Sequence, residues 1–521
     1  MLTKSDLASY RTCPRQLWLR RHRPDLAPPS DDPTTWRRAQ DGNIVAAKAR
    51  EQLPAGFLWP KGAANPEDAA REALALLRTS PAAAAAEVPL FREGLYARAD
   101  ALVPATAGYR LRETKASTFP LKDDKLTPKA PKEHHLDDLA IQTWVYEGSG
   151  LALAGAELNL LDGQWRYPGG GDYRGLFRQL DVTAEARARA EQVPTWLAEA
   201  SAVLAGPMPA AVTGKQCEEP YPCPFTAFCE PLDPPGPEHP IELLPGSAGK
   251  GLAKKLRAQR GYTSILEPGL EELTGKAAAL YERMQRAHRT GEPVLDPHSG
   301  AVLAALPYPR YYFDFEGIDL AVPRWTGVRP YEHIPFQWSC HIEERPGQFS
   351  HAEFLDLSGD DPSVPCIEHM LKIIPRDGIA PILVFHKTYE ATRLKELAER
   401  HPKYAASIDR YLHRIVDLRP LVEAGYYHPA MRGSFSIKAI LPTVAPDLDY
   451  GELEEVQHGT AAQFAYLFAA LEPTTTPARR AALRRDLLKY CRLDTWAMVE
   501  VAHFLERRPR PARPTGAEAP V

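Results

Sequence analysis

Apolar and polar positions alternate along this chain with two different periods. LYARADALVPA (95–105) and YRLRETKAST (109–118) repeat at every second position around a glycine-containing turn, which predicts two strands. HHLDDLAIQTWVYEGSG (134–150) repeats at helical spacing and should end at Gly148 or Gly150. Beyond a proline-rich stretch at 230–240 the pattern becomes helical and basic, in GKGLAKKLRAQRGY (249–262) and LEELTGKAAALYERMQRAHRTGE (270–292). From 306 onward RYYFDFEGIDL, PFQWSCHIEE and APILVFHK read as strands, and RRDLLKYCRLDTWAMVEVAHFLE as a long amphipathic helix. Strands followed by helices in this order predict an α/β fold. The composition divides it into a first domain over 1–235, a Pro-rich and helical linker over 236–305, a second domain over 306–505 and a disordered Pro/Arg tail over 506–521.

At 521 residues the chain can bury more than one core. No apolar run reaches the roughly 18–20 residues that span a bilayer, and the first residues carry no apolar signal region, so a cytoplasmic protein without a membrane partner is expected. There, seven cysteines read as metal ligands or buried thiols rather than disulfides. A net charge of −4 does not announce a nucleic-acid binder. Locally, however, Arg11, Arg15, Arg20, Arg21 and Arg23 interleave with Trp18 and His22, either to track a phosphate backbone or as a solvated helix face.

Two acidic sets carry candidate chemistry. In the first, Asp100 ends one strand, and Glu113 and Lys115 share a face of the next at i and i+2. Converging carboxylates can hold Mg²⁺ or Mn²⁺, and a neighbouring lysine can orient or deprotonate a water. Gln142 and Tyr146 share a helix face downstream. In the second, Asp314 and Glu316 stand at i and i+2 on a strand flanked by aromatics, a costly place for two like charges unless a cation joins them. Tyr490 and Asp494 follow at i and i+4 on the long helix. Between them lie His386, Tyr389 and Glu390, with Asp417 as a fallback acid. Ser436 is an N-cap candidate for the helix that begins near Lys438.

The first set, with its "RAD", "RETKAS" and "QTWVY" segments, resembles the RecB-like nucleases of the PD-(D/E)xK superfamily. Iron–sulfur members of that family hold a cluster with one cysteine near the N-terminus and three beyond the nuclease core. The resemblance therefore implies a 4Fe-4S centre on Cys13, Cys217, Cys223 and Cys229. Four thiolates also suit zinc, although structural zinc usually prefers C-x₂₋₄-C pairs, which this chain lacks. The five-residue gaps between the late cysteines depart from the family spacing, and DGNIVAAKAR (41–50) lacks the histidine that many relatives carry as a metal ligand.

The second set is similar to the DEDDy branch of 3′–5′ exonucleases, which have the ribonuclease H-like fold. That resemblance implies two divalent ions on Asp314, Glu316, Glu390 and Asp494, with Tyr490 orienting the attacking water. Glu390 stands where that branch carries an aspartate. GVRPYEHIPFQWSCHI and YYHPAMRGSFSIKAILP resemble a bacterial family in which the two nuclease-like domains are fused. The expectation is thus a restriction-endonuclease-like (RecB-type) domain with an iron–sulfur clip, a helical linker and a ribonuclease H-like α/β domain. It would act as a metal-dependent nuclease on DNA ends or single strands. An RNA-directed exonuclease and a nucleic-acid-binding protein with inactive sites are the alternatives.

Overall fold

A computed structural model of the chain describes residues 1–28, 33–60, 65–122, 124, 127–448, 450–452, 456 and 459–513. It is mixed α/β, in two units: Met1–Pro234 with Leu320–Glu332, and Pro235–Asp319 with His333–Val521. Residues 236–305, expected as a linker, fall within the second unit.

The first unit is built on six strands: β1 (Leu2–Thr3), β2 (Ala85–Arg92), β3 (Leu95–Ala105), β4 (Gly108–Thr118), β5 (Leu153–Leu161) and β6 (Phe177–Asp181). Their order is β1-β3-β4-β5-β6, with β2 also on β3. The β3–β4 ladder runs from Ala105–Gly108 to Ala101–Arg112 and ends there. Beyond it, Glu113 to Lys115 pair with β5, opposite Leu158 to Leu160, while the start of β3 takes β1 in parallel at Leu95 and Tyr96. On β4, Tyr109, Leu111 and Glu113 form one buried row, so the alternation that fills the core brings a carboxylate inside at its end. Helix α1 (Lys4–Thr12) follows β1 directly, and α2 (Pro14–His22) follows Cys13. Further helices are α3 (Pro33–Glu51), α4 (Pro66–Thr79), α5 (Glu133–Gly148), α6 (Thr183–Ala190), α7 (Val193–Ala205) and the short Thr226–Cys229. The core lies between the sheet and α1, α2, α4 and α5, around Leu7, Leu17, Ala73, Leu111, Leu139, Val145 and Leu158.

In the second unit a short pair, β7 (Val294–Leu295) and β13 (Tyr426–Tyr427), accompanies a five-stranded sheet. That sheet holds β8 (Arg310–Asp319), β9 (His333–Arg345), β10 (Gln348–Leu355), β11 (Ile382–Val384) and β12 (Ile415–Asp417), in the order β10-β9-β8-β11-β12. β8 runs antiparallel to β9 and parallel to β11. Tyr311, Phe313 and Phe315 face one core, together with Trp338, Ile367, Leu394 and Tyr411. Asp314 and Glu316 therefore lie on the opposite face, and the helix Pro477–Leu505 packs on β8 and β9.

Three expectations need correction. The stretch 270–292 is helical only over Ala278–Thr290, because Gly275 takes φ +98° and interrupts the helical backbone. APILVFHK is a strand only over Ile382–Val384. The tail 506–521 begins fixed: Arg508 pairs with Glu343 at 2.5 Å and Arg510 with Glu500 at 3.0 Å; residues 514–521 lie outside the described residues.

Candidate active sites

The first acidic set assembles where β3 and β4 part. Asp100, near the middle of β3, accepts a hydrogen bond from the Thr114 amide at 2.7 Å. Glu113 is buried, and both its oxygens are taken. Lys4 Nζ donates to Oε1 at 2.7 Å, Lys115 Nζ to the same oxygen at 2.9 Å, and Gln142 Nε2 to Oε2 at 2.8 Å. Lys115 also pairs with Asp138, one helical turn before Gln142 on α5. Lys4 and Asp138 belong to no short sequence motif, and sequence reasoning missed both.

The charges settle accordingly. Burial raises the Asp100 carboxyl to about 7, and Glu113 adds to the rise. Burial also opposes ionisation of Glu113, but Lys115 and Lys4 outweigh it and hold that carboxyl well below the usual range. Burial disfavours the charged Lys115, yet Glu113 and Asp138 raise it overall. Tyr146, expected beside the acids, is fully buried and bonds to backbone instead: its OH donates to Val88 O and accepts from the Ala99 amide, the latter at 2.7 Å.

Cys13 sits between α1 and α2, Cys217 in a one-turn 3₁₀ helix, and Cys229 at the end of the short helix Thr226–Cys229. Together with Cys223, all four line one cavity of about 20 Å³, with Gln16, Leu19 and Phe225. Gln16 Nε2 lies 3.4 Å from Cys223 Sγ. No three of the four Sγ atoms come within 4.8 Å of one another. Of the arginines in the basic run at 11–23, Arg15 alone is buried, and Arg11, Arg20, Arg21 and Arg23 are exposed. Arg15 donates to Pro209 O at 2.8 Å, and Arg11, Arg21 and Arg23 pair with Asp137, Asp6 and Asp25.

The second acidic set is more concentrated. Carboxylate oxygens of Asp314, Glu316 and Asp494 all lie within 4.8 Å of one another, the one such group of three or more ligating side chains among the described residues. Asp314 and Glu316 come from β8 and Asp494 from the helix Pro477–Leu505. Glu390, in the first turn of the helix Thr388–Arg400, faces Asp314, and its buried Oε2 has no hydrogen-bond partner among the described residues. These acids line a cavity of about 400 Å³ together with His333, His386, Tyr389, Lys438, Gln463 and Tyr490. Asp417 does not join them. It caps the helix Leu418–Gly425 and accepts from the amides of His386 and Lys387 at 3.0 and 2.9 Å, which fixes the loop that delivers Glu390.

Burial and mutual repulsion push the acids of this set upward. Burial, Asp494 and Glu316 raise Asp314 well above the carboxylate range, and burial with Asp494 does the same to Glu316. Burial raises Glu390 to about 8. Asp494 is raised by burial even though Tyr450 donates to its Oδ1 at 2.6 Å and Lys438 lies nearby. Lys438 Nζ donates to the Tyr490 hydroxyl at 3.0 Å and lies 4.7 Å from the centre of that ring. Burial lowers the Lys438 ammonium despite the acids around it. Ser436 caps the helix Ile437–Val444 as expected, accepting from the Ala439 amide at 3.3 Å. Lys438, which in the sequence marks only the start of that helix, thus belongs to the lining of the acidic cavity. Tyr450 gave no sequence signal.

No helix among the described residues is long and apolar enough to cross a membrane. A family model described as "Domain of unknown function (DUF2779)" matches residues 311–436, a span that contains Asp314, Glu316 and Glu390 but stops short of Lys438, Tyr490 and Asp494. The chain is similar to "Uncharacterized protein UU173" of Ureaplasma parvum serovar 3 (strain ATCC 700970), 26% identical over 226 residues, which is 40% of this chain and 32% of that relative. The match therefore spans about a third of the relative's length. Among solved structures it is similar to "Crystal structure of SSO0001", with 14% identity and a TM-score of 0.24, over 44% of this chain and 85% of that one.

Proposed function

We propose that the protein is a metal-dependent nuclease that hydrolyses phosphodiesters of DNA single strands or ends. Its second unit would be a ribonuclease H-like exonuclease of the DEDDy type and its first a RecB-like PD-(D/E)xK domain. The observation that carries this reading is the convergence of Asp314, Glu316 and Asp494, with the orphaned Oε2 of Glu390 beside them. Four carboxyl groups crowded at the floor of a cavity are an oxygen-donor set suited to Mg²⁺ or Mn²⁺, with one lysine to offset them. When bound, such ions stabilise the attacking and leaving oxygens of an in-line displacement. Tyr490, whose hydroxyl accepts from Lys438 and meets Asp494, would orient the attacking water. Tyr450 holds Asp494 in the orientation its role requires.

The cysteines supply a donor set for a 4Fe-4S cluster, or less favourably for zinc, on Cys13, Cys217, Cys223 and Cys229. A single tetrahedral zinc with bonds of about 2.3 Å would gather its thiolates to roughly 3.8 Å of one another, closer than any three of these stand. The centre would tie the N-terminus to a segment two hundred residues away. Protein purified without oxygen should be brown; a colourless preparation with stoichiometric zinc would replace the cluster assignment.

The deciding experiment digests 5′-labelled and 3′-labelled single-stranded DNA with Mn²⁺, using wild type, Lys115→Ala and Asp494→Ala. Asp494→Ala is expected to abolish 3′-directed digestion, and Lys115→Ala to spare it while removing a separate product. Unchanged activity in Asp494→Ala sinks the assignment of the second site. Binding of DNA and a matched RNA with cleavage of neither replaces the nuclease with a binding protein.

A further inference from the structure

We propose that Lys4 is the resident cation of the first acidic set, seated on Glu113 where a divalent ion would bind, so that ion and ammonium compete for that carboxylate. The inference deepens the reading of this set as a cation site and rests on it.

Glu113 is the buried acid of the set, and its oxygens are already taken by Lys4, Lys115 and Gln142. Three of its roughly four acceptor sites are in use, two on Oε1 and one on Oε2, so a divalent ion that takes both oxygens displaces one of the three. Lys115 is held a second time by Asp138, and Gln142 a second time by the Asp138 carbonyl at 3.3 Å. Among the described residues, the one hydrogen bond of Lys4 Nζ runs to Glu113. Its side chain keeps 20% of its surface exposed, which leaves a way out to solvent.

The placement of Lys4 is specific. It opens helix α1, where the positive end of the helix dipole disfavours a cation. Its backbone is fixed all the same. β1 pairs with the start of β3, and Thr3 and Asp6 form a capping box, with Thr3 N–H donating to Asp6 at 2.9 Å and Asp6 N–H to Thr3 Oγ1 at 3.2 Å. Arg21 braces Asp6 from α2 at 3.3 Å. A half-buried ammonium on an unfavourable helix end, aimed at a buried carboxylate, is a counter-ion held by the fold. With Lys4 and Lys115 against Asp100, Glu113 and Asp138, the set is nearly neutral without any metal.

The test counts Mn²⁺ bound by the full chain, by electron paramagnetic resonance of the free ion, in a background of Glu316→Gln and Asp494→Asn that silences the second site. The background chain should bind one Mn²⁺ only weakly, at the first set with Lys4 in place. Adding Lys4→Met should tighten that site by about tenfold or more. Lys4→Arg should behave as the background, and Glu113→Gln on top of Lys4→Met should abolish the gain. A folded Lys4→Met chain with unchanged Mn²⁺ binding overturns the proposal, as does a background chain that already binds one ion as tightly. Should Lys4→Met fail to fold, Lys4→Gln, which keeps a donor toward Glu113 without the charge, decides by the same criterion. Loss of the nuclease reading would show as absent cleavage in wild type, and leaves the Mn²⁺ counts to judge Lys4 separately.

Discussion

The two acidic sites solve one electrostatic problem in opposite ways. In the first, Asp100, Glu113 and Asp138 meet two ammonium groups, Lys4 and Lys115, and Glu113 ionises more easily than a free carboxyl. In the second, Asp314, Glu316, Glu390 and Asp494 share one lysine, and all four are pushed upward. Like charges about 4 Å apart repel by roughly 4 kcal/mol at an effective dielectric near 20. The second site therefore stores a deficit of positive charge, while the first carries its own cations. A cluster of acids is evidence for a metal only to the extent that the fold leaves its charge unbalanced.

Charge removal breaks or sharpens this contrast most strongly. Glu113→Gln strands Lys4 and Lys115 beside a neutral amide, and should cost about 3–5 kcal/mol, as breaking a buried ion pair does. Glu316→Gln removes one of several repelling charges and should leave the metal-free protein as stable as before, or more so. Urea unfolding of both variants in EDTA, with probes in each unit since the two need not unfold together, makes the comparison. Equal losses in the two would show that both sites are ordinary buried ion-pair clusters.

Much of this geometry was legible in the sequence, because strand and helix periodicity fix which residues share a face. Glu113 with Lys115, Asp314 with Glu316, and Tyr490 with Asp494 each emerged from spacing within one element. Glu390 was legible only by its place in the order of acids. Lys4, Asp138, Lys438 and Tyr450 were not, since nothing in their local pattern distinguishes them. Lys4 arrives through a two-residue strand pairing with β3, and Tyr450 from a 3₁₀ turn, Tyr450–Glu452. Counter-ions are chosen by tertiary closure, and closure leaves no period to read. The same limit explains Tyr146, whose helical spacing from Gln142 matched a motif while its hydroxyl went to the β2 and β3 backbone.

The second effect is a difference in pH response. At the second site the folded carboxyls are raised, Glu390 to about 8. The unfolded chain releases these protons near pH of about 4. The folded state then binds more protons than the unfolded between those limits, so metal-free stability falls as pH rises from about 4 toward 8. Glu113, depressed by its lysines, works in the other sense: its contribution is present above a pH of about 4 and is lost as pH falls through its lower folded value. Asp100, raised to about 7, partly offsets it. Mg²⁺ should therefore raise the melting temperature of the second unit more at pH 8 than at pH 6. Glu390→Gln should flatten that dependence. A Mg²⁺ shift independent of pH would separate the ion from these carboxyls.

The smallest effect concerns two tyrosines with the same i, i+4 relation to a polar partner, Tyr146 after Gln142 and Tyr490 before Asp494. Tyr146 ties β2 to β3 through Val88 O and the Ala99 amide. Its replacement by Phe leaves those two buried backbone groups unpaired, which should lower stability by about 1–3 kcal/mol. Tyr490 lines the second cavity and meets Lys438 Nζ, whose side chain has solvent-facing space to rearrange. Tyr490→Phe should therefore change unfolding little, while slowing hydrolysis of 3′-labelled DNA at saturating Mn²⁺. Urea midpoints and initial rates on the two variants give four numbers. The expected pattern is a stability loss in Tyr146→Phe and a rate loss in Tyr490→Phe. A rate loss in Tyr146→Phe that persists far below its unfolding midpoint would return that residue to the chemistry of the first site, where its spacing alone had put it.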